Sequence, residues 1–147
     1  MDWGLITPIF PVLLPFLFIT LFVVLRIKRE FDEYVPMRVA IRVDGGSRKV
    51  VIETRKKRIE TAVRDFRKAS SKEVLEVRIN GLSFGKYRLG LYKGPYGYVE
   101  SYATSDLGIL MEGGEGKNYF LAFKNVDELL KALEAKEKTE EVISVKS

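Results

Sequence analysis

The chain opens in one hydrophobic pattern and continues in another. From Trp3 to Leu25, WGLITPIFPVLLPFLFITLFVVL, apolar residues follow one another with no charge. At the helical rise of 1.5 Å per residue this run reaches about 34 Å, enough to cross a hydrocarbon core roughly 30 Å thick. The pattern therefore predicts a transmembrane helix. A cleavable signal peptide fits less well: Asp2 stands where a base is needed, the apolar run is long, and it leads directly into charge. Arg26, Lys28 and Arg29 follow the run and no base precedes it. Basic flanks stay on the cytoplasmic side, so the expectation is a single-pass protein of the cell membrane, amino terminus outside and folded part in the cytoplasm. Pro8, Pro11 and Pro15 fall near one helical face. They mark either a kinked outer half or a packing face for another membrane subunit.

Beyond the apolar run the period shortens to two. Residues 31–36 read as a linker ending at Pro36. MRVAIRV (Met37–Val43) and KVVIET (Lys49–Thr54) flank Asp44–Ser47 as a predicted hairpin. Arg55–Ala69 fits a helix through Ile59, Ala62, Val63 and Phe66, and a strand through Ile59, Thr61 and Val63; periodicity does not separate the two. EVLEVRI (Glu73–Ile79) reads as a strand before a turn at Asn80-Gly81. Tyr87, Leu89 and Leu91 share one strand face, and Tyr98, Glu100 and Tyr102 share one face of the next, after a turn at Lys93-Gly94-Pro95. Leu107–Glu112 and Asn118–Phe123 bracket a glycine-rich turn as a further hairpin. Asn125 then fits an N-cap with Glu128 as its capping-box partner, opening an amphipathic helix over Val126–Lys136. Residues 139–147 read as a charged tail. Meandering strands escape exposed edges by closing on themselves. The expected fold is thus mainly β: a small antiparallel barrel over residues 37–138, capped by a C-terminal α-helix and joined to an anchor over residues 1–30.

The stretch YRLGLYKGPYGYVESYATSDLGILMEGGEGKNYFLAFKNVDELLKAL, Tyr87 to Leu133, resembles the bacterial and archaeal pleckstrin-homology-like domains. The marks are a Y-R-x-G strand, a glycine turn, a strand ending near Tyr102-Ala103-Thr104, an apolar strand, a glycine-rich turn, a K-x-Y-x-L strand and a capped D-E-L-L helix. They cover about a third of the chain. The resemblance implies a pleckstrin-like barrel, often beside a membrane helix, with a binding or scaffolding role and no catalytic residues.

Composition narrows the chemistry. The 147 residues contain no cysteine and no histidine, which removes disulfides, thiolate nucleophiles and the commonest general base. Charge is uneven: Arg26 to Lys93 holds nineteen bases against nine acids, and Gly94 to Ser147 six against ten. The bases Arg26, Lys28, Arg29 and the run Arg55, Lys56, Lys57 and Arg58 are candidate contacts to an anionic leaflet, each worth on the order of 1 kcal/mol near it. The plainer reading of the run is a solvated loop. KGPYGYVESY (Lys93–Tyr102) approaches the aromatic octamer of RNA-recognition motifs, but Pro95 is inserted and Tyr102 falls one residue late. Tyr96, Tyr98 and Tyr102 are therefore candidates for a protein-interaction surface, with nucleic acid disfavoured. Glu112, Glu115 and Glu140-Glu141 lack signs of a cleft, Ser70, Ser71 and Ser101 lack an activating base, and no phosphate loop occurs. No catalytic, cofactor or metal residues are assigned. The expected function is a non-catalytic interaction or scaffold module. Its expected partners are the lipid bilayer and a membrane protein or further copies of itself, with anionic-lipid binding as the alternative.

Overall fold

The computed structural model describes residues 10–147, with side-chain exposure from Leu13 onward. Helix α1 (Phe10–Tyr34) leads into β1 (Pro36–Asp44), β2 (Ser47–Thr54), β3 (Arg58–Ser70), the one-turn helix α2 (Ser71–Val74), β4 (Val77–Phe84), β5 (Tyr87–Gly94), β6 (Gly97–Ala103), β7 (Leu107–Gly113), β8 (Asn118–Ala122), α3 (Val126–Glu134) and β9 (Thr139–Ser144).

The strands form one nine-stranded sheet in the order β4-β5-β6-β8-β7-β3-β2-β1-β9. This corrects the expected closed antiparallel barrel. The sheet keeps two edges, β4 and β9, and β6 pairs with β8 in parallel while the other pairings are antiparallel. The first hairpin forms where alternation placed it, because Gly45 and Gly46 both take positive φ (55° and 87°), the pair a two-residue primed turn requires. Strand β3 resolves the ambiguous segment. Its first half pairs with β2 and its second with β7, with a bulge between Val63 and Asp65 where it changes partner. The β4–β5 hairpin has its own irregularity. Gly81 faces Gly90 across the two strands, and a Cβ on either would collide with the opposite backbone.

One face of the sheet curls around the main core: Val39, Ile41, Val50, Ile52, Tyr102, Ile109, Met111, Leu121 and Ile143, closed by Leu129 and Leu133 of α3. A smaller cluster on other faces joins Val74, Val99, Leu110 and Phe120. Helix α2 lays Val74 on that cluster, so the segment expected to be a strand from Glu73 first makes a helical turn. Its signal is a capping box: the Ser70 hydroxyl accepts from the Glu73 N–H at 3.4 Å and bonds the Glu73 carboxylate at 3.1 Å. Asn80-Gly81, expected as a turn, lies inside β4.

The charged tail is also ordered. Residues 139–144 form β9 on the free side of β1, with Ile143 buried in the core. Asn125 sits at the N-cap of α3 but turns its side chain to this strand. Its Nδ2 donates to the Ser144 carbonyl at 2.9 Å, and its Oδ1 accepts from the Lys146 N–H at 2.8 Å.

The transmembrane expectation is corrected too. Among the described residues no helix is long and apolar enough to cross a membrane. The described apolar part of α1 runs from Phe10 to Leu25, about 24 Å of rise. Its remainder carries Arg26, Lys28, Arg29, Glu30, Asp32 and Glu33. The Trp3–Ile9 part of the expected span, with Pro8, lies outside the described residues. The single-pass topology and its orientation therefore have no span to rest on among the described residues. Pro15 lies within the helix, and residues 31–34, expected as linker, continue α1.

Candidate functional site

Helix α1 has two unlike parts. From Leu13 to Leu25 its large apolar side chains are 46–68% exposed on every side. Thr20 is the one polar side chain in that stretch, and its hydroxyl donates to the Phe16 carbonyl at 2.8 Å, one turn back. The helix thus shows an apolar phase very little hydrogen-bonding demand.

The last turns are fastened to the sheet. The Phe31 ring lies 4.9 Å from that of Tyr87 at the start of β5, and the Tyr34 ring 5.5 Å from that of Tyr102 on β6. The β2–β3 turn grips the helix from another side. The Lys56 N–H donates to the Asp32 carbonyl at 3.1 Å, and Arg55 lies 3.9 Å from the Asp32 carboxylate. Thr54 shapes this turn: its N–H donates to the Lys57 carbonyl at 2.9 Å, and its hydroxyl accepts from the Lys57 N–H at 3.1 Å.

The turn sends its four bases in different directions. Arg55 and Lys56 are exposed. Arg58 is exposed and lies 3.8 Å from Glu53. Lys57 turns inward, its ammonium 3.9 Å from the Tyr34 ring centre and 5.3 Å from that of Tyr102. Burial lowers the Lys57 pKa, against the opposing pull of Glu100, Glu33 and Glu30. Burial also raises the phenol pKa values of Tyr34 and Tyr102, helped by Glu100. The Tyr102 hydroxyl is buried and finds no hydrogen-bond partner among the described residues.

Sequence reasoning placed seven bases at a membrane, and the fold brings them to one end of the body. Arg26, Lys28 and Arg29 are exposed on α1, one to two turns before Asp32. Arg29 pairs with Glu33 at 3.3 Å. Lys57 departs from this expectation because it serves as a wedge between the helix and the sheet. The three candidate tyrosines separate. Tyr96 is 40% exposed in the β5–β6 turn, under the Arg67 guanidinium at 4.4 Å, and Tyr98 is 57% exposed beside Lys93. Tyr102, on the same strand face as Tyr98, is fully buried where the sheet curls inward and cannot belong to a surface.

Two features went unread in the sequence. Phe84 ends β4 with 70% of its surface exposed, beside the Gly85-Lys86 tip of the β4–β5 hairpin. Asp32, an ordinary acid in a charged run, clamps the helix through both its carbonyl and its carboxylate. Glu112 and Glu115 are exposed, and no group of three or more potential metal ligands occurs among the described residues. A groove between α3 and β9 is open and lined by mixed charge, including Glu128, Lys131, Glu141 and Lys146. Compared with family models, curated proteins and solved structures, the chain matches none, and the pleckstrin-like resemblance gains no support from them.

Proposed function

We propose that the protein is a non-catalytic interaction module that buries the apolar part of α1 in lipid and presents its sheet to neighbouring proteins of a membrane-associated assembly. One observation carries the reading: eleven large apolar side chains between Leu13 and Leu25 stand exposed around the whole helix. A helix that is apolar on one face needs a partner on one side, whereas one that is apolar all round needs an apolar surrounding. Full burial of such a side chain contributes about 1.5–3 kcal/mol, so eleven half-exposed ones favour an apolar phase by on the order of 10 kcal/mol. Lipid suits this surface better than a second helix. Helices that pack closely in lipid use small residues at their contacts, and from Phe10 to Leu25 the sequence offers Thr20 alone.

The root of α1 supports the scaffold half of the reading. Phe31, Asp32 and Tyr34 each hold a different part of the sheet, so the body is presented in a fixed attitude to the helix. Confinement to a surface raises the effective concentration of the body for partners on the same surface. The test is flotation of the full chain with neutral phosphatidylcholine vesicles. The wild type is expected to float, also in high salt, and Leu17→Asp with Phe22→Asp to remain at the bottom with an unchanged body melting temperature. A wild-type chain that stays at the bottom ends the proposal.

A further inference from the structure

We propose that the end of the body around the root of α1 is a docking face for anionic phospholipids, with Phe84 entering the acyl boundary and Arg26, Lys28, Lys56 and Lys86 meeting the phosphates. The inference rests on the lipid reading of α1 and adds a second contact made by the sheet itself.

Three observations converge on this face. The first is the placement of two turns beside the helix root. The β2–β3 turn is bonded to Asp32 through the Lys56 N–H at 3.1 Å. The β4–β5 tip lies within three residues of Tyr87, whose ring contacts Phe31 at 4.9 Å. Both turns therefore border the helix where it leaves the sheet.

The second is the exposed Phe84. It pairs in register with Tyr87 at the end of its hairpin, on the helix side of the sheet, and is 70% exposed. The backbone of the tip beside it is fastened by the Arg88 guanidinium, which donates to the carbonyls of Gly85 and Tyr87. A large apolar ring exposed at a hairpin tip, beside a helix suited to lipid, suits entry into the acyl boundary.

The third is charge. Two of the three acids of the helix root are paired: Glu33 lies 3.3 Å from Arg29, and Asp32 lies 3.9 Å from Arg55. Glu30 and Glu33 both favour the charged form of the inward-turned Lys57. Arg26, Lys28, Lys56 and Lys86 are exposed and form no ion pair among the described residues. Arg26 lies about 7.5 Å of helical rise before Phe31, and Lys28 about 4.5 Å. The headgroup layer beyond each side of the hydrocarbon is of similar depth. Arg26 and Lys28 thus stand within the headgroup layer when Leu25 stands at the edge of the acyl region, and Lys56 and Lys86, on the turns beside Asp32 and Phe31, border its outer side. Anionic headgroups complete the pairing that the protein's own acids leave open.

The test uses full-length chains in which Trp3→Phe removes the native indole and one substitution supplies a probe: Phe84→Trp, Leu17→Trp on the helix, or Tyr98→Trp on a part of the sheet remote from the helix root. The chains are reconstituted in phosphatidylcholine vesicles with brominated acyl chains, with and without phosphatidylglycerol. The expected result is a blue-shifted and quenched Phe84→Trp probe, with quenching increased by phosphatidylglycerol. That increase is lost in high salt and in the background of Lys56→Gln with Lys86→Gln. The Tyr98→Trp probe stays unquenched. A Phe84→Trp probe as unquenched as Tyr98→Trp, while Leu17→Trp is quenched, overturns the docking face and leaves the lipid reading of α1 intact. Equal quenching of Phe84→Trp with and without phosphatidylglycerol overturns the role of the four bases. An unquenched Leu17→Trp probe overturns the lipid reading and this inference with it.

Discussion

Helices α1 and α3 are both rich in large apolar residues, and the protein treats them in opposite ways. In α3 the apolar positions recur at helical spacing, and Val126, Leu129, Ala132 and Leu133 are all buried against the sheet. The opposite face carries Asp127, Glu128 and Lys131, and Arg48 donates to the Leu133 carbonyl at 2.6 Å where the helix ends. In α1 the apolar positions run without interruption from Leu13 to Leu25, except for Thr20, and none of them enters the core. The amount of apolar surface is thus a poor guide to where a helix goes. Its distribution decides: a stripe matches the one-sided surface of a sheet, and a full circumference matches no surface among the described residues.

The comparison is broken most directly by truncating one side chain in each helix. Leu129→Ala removes a fully buried side chain from the main core and should cost about 2–5 kcal/mol. Leu17→Ala should leave the melting of the body within about 0.5 kcal/mol of wild type. Chemical denaturation followed through the sheet's circular dichroism measures both. Similar losses for the two variants would mean that the apolar part of α1 packs against the body after all.

A smaller effect tests the place where α1 joins the core that α3 closes. Burial, as the first cause in each case, raises the phenol pKa of Tyr34, Tyr92, Tyr102 and Tyr119. Unfolded tyrosines lose their protons near pH 10, while the folded ones retain them. The unfolded state then binds fewer protons, so stability falls as pH rises beyond about 10. Lys57 works the other way. Its lowered pKa makes the unfolded state the better proton acceptor between that value and its ordinary one, so its contribution to stability rises with pH there. Four phenols oppose one ammonium, and melting temperatures measured across alkaline pH should decline. Tyr34→Phe should flatten the decline; an identical slope would detach Tyr34 from the buried cluster.

The smallest expected effect is at Tyr102. Its hydroxyl is buried without a partner among the described residues, which penalises the folded state, and Tyr102→Phe should stabilise the body by about 1 kcal/mol. A comparable loss in urea denaturation would show that the hydroxyl is bonded.

Local signals explain how much of this was legible. The first hairpin, the β7–β8 pair and α3 announce themselves through Gly45-Gly46, the glycine run after Glu112, and the spacing of Val126, Leu129 and Leu133. Residues 55–69 stayed open because β3 exchanges β2 for β7 midway, and its exposed faces change with the partner. The tail misled because Ile143 is a lone buried residue among Thr139, Glu140 and Glu141, and its partner strand lies about a hundred positions earlier in the chain. The α1 expectation misread Arg26 to Tyr34 as flank and linker, although Phe31 and Tyr34 repeat at helical spacing within it. The docking face was half legible. The bases stood out as runs, but the inward turn of Lys57 and the arrival of Phe84 beside α1 depend on how the β2–β3 and β4–β5 turns meet the helix.

The pairing of Arg38 with Ser144 also orders events in time. Strand β1 acquires β2 quickly, through a turn of two residues, yet its other side stays bare until β9 has travelled the length of the chain to reach it. Closing so long a loop is slow compared with local pairing. Until then an unpaired strand rim, carrying Val39 and Ile41 toward an unfinished interior, is open to any passing strand. Asn125, by bonding Ser144 nineteen positions on and Lys146 beyond it, ties β9 to the start of α3, so that the docking of α3 carries β9 toward β1.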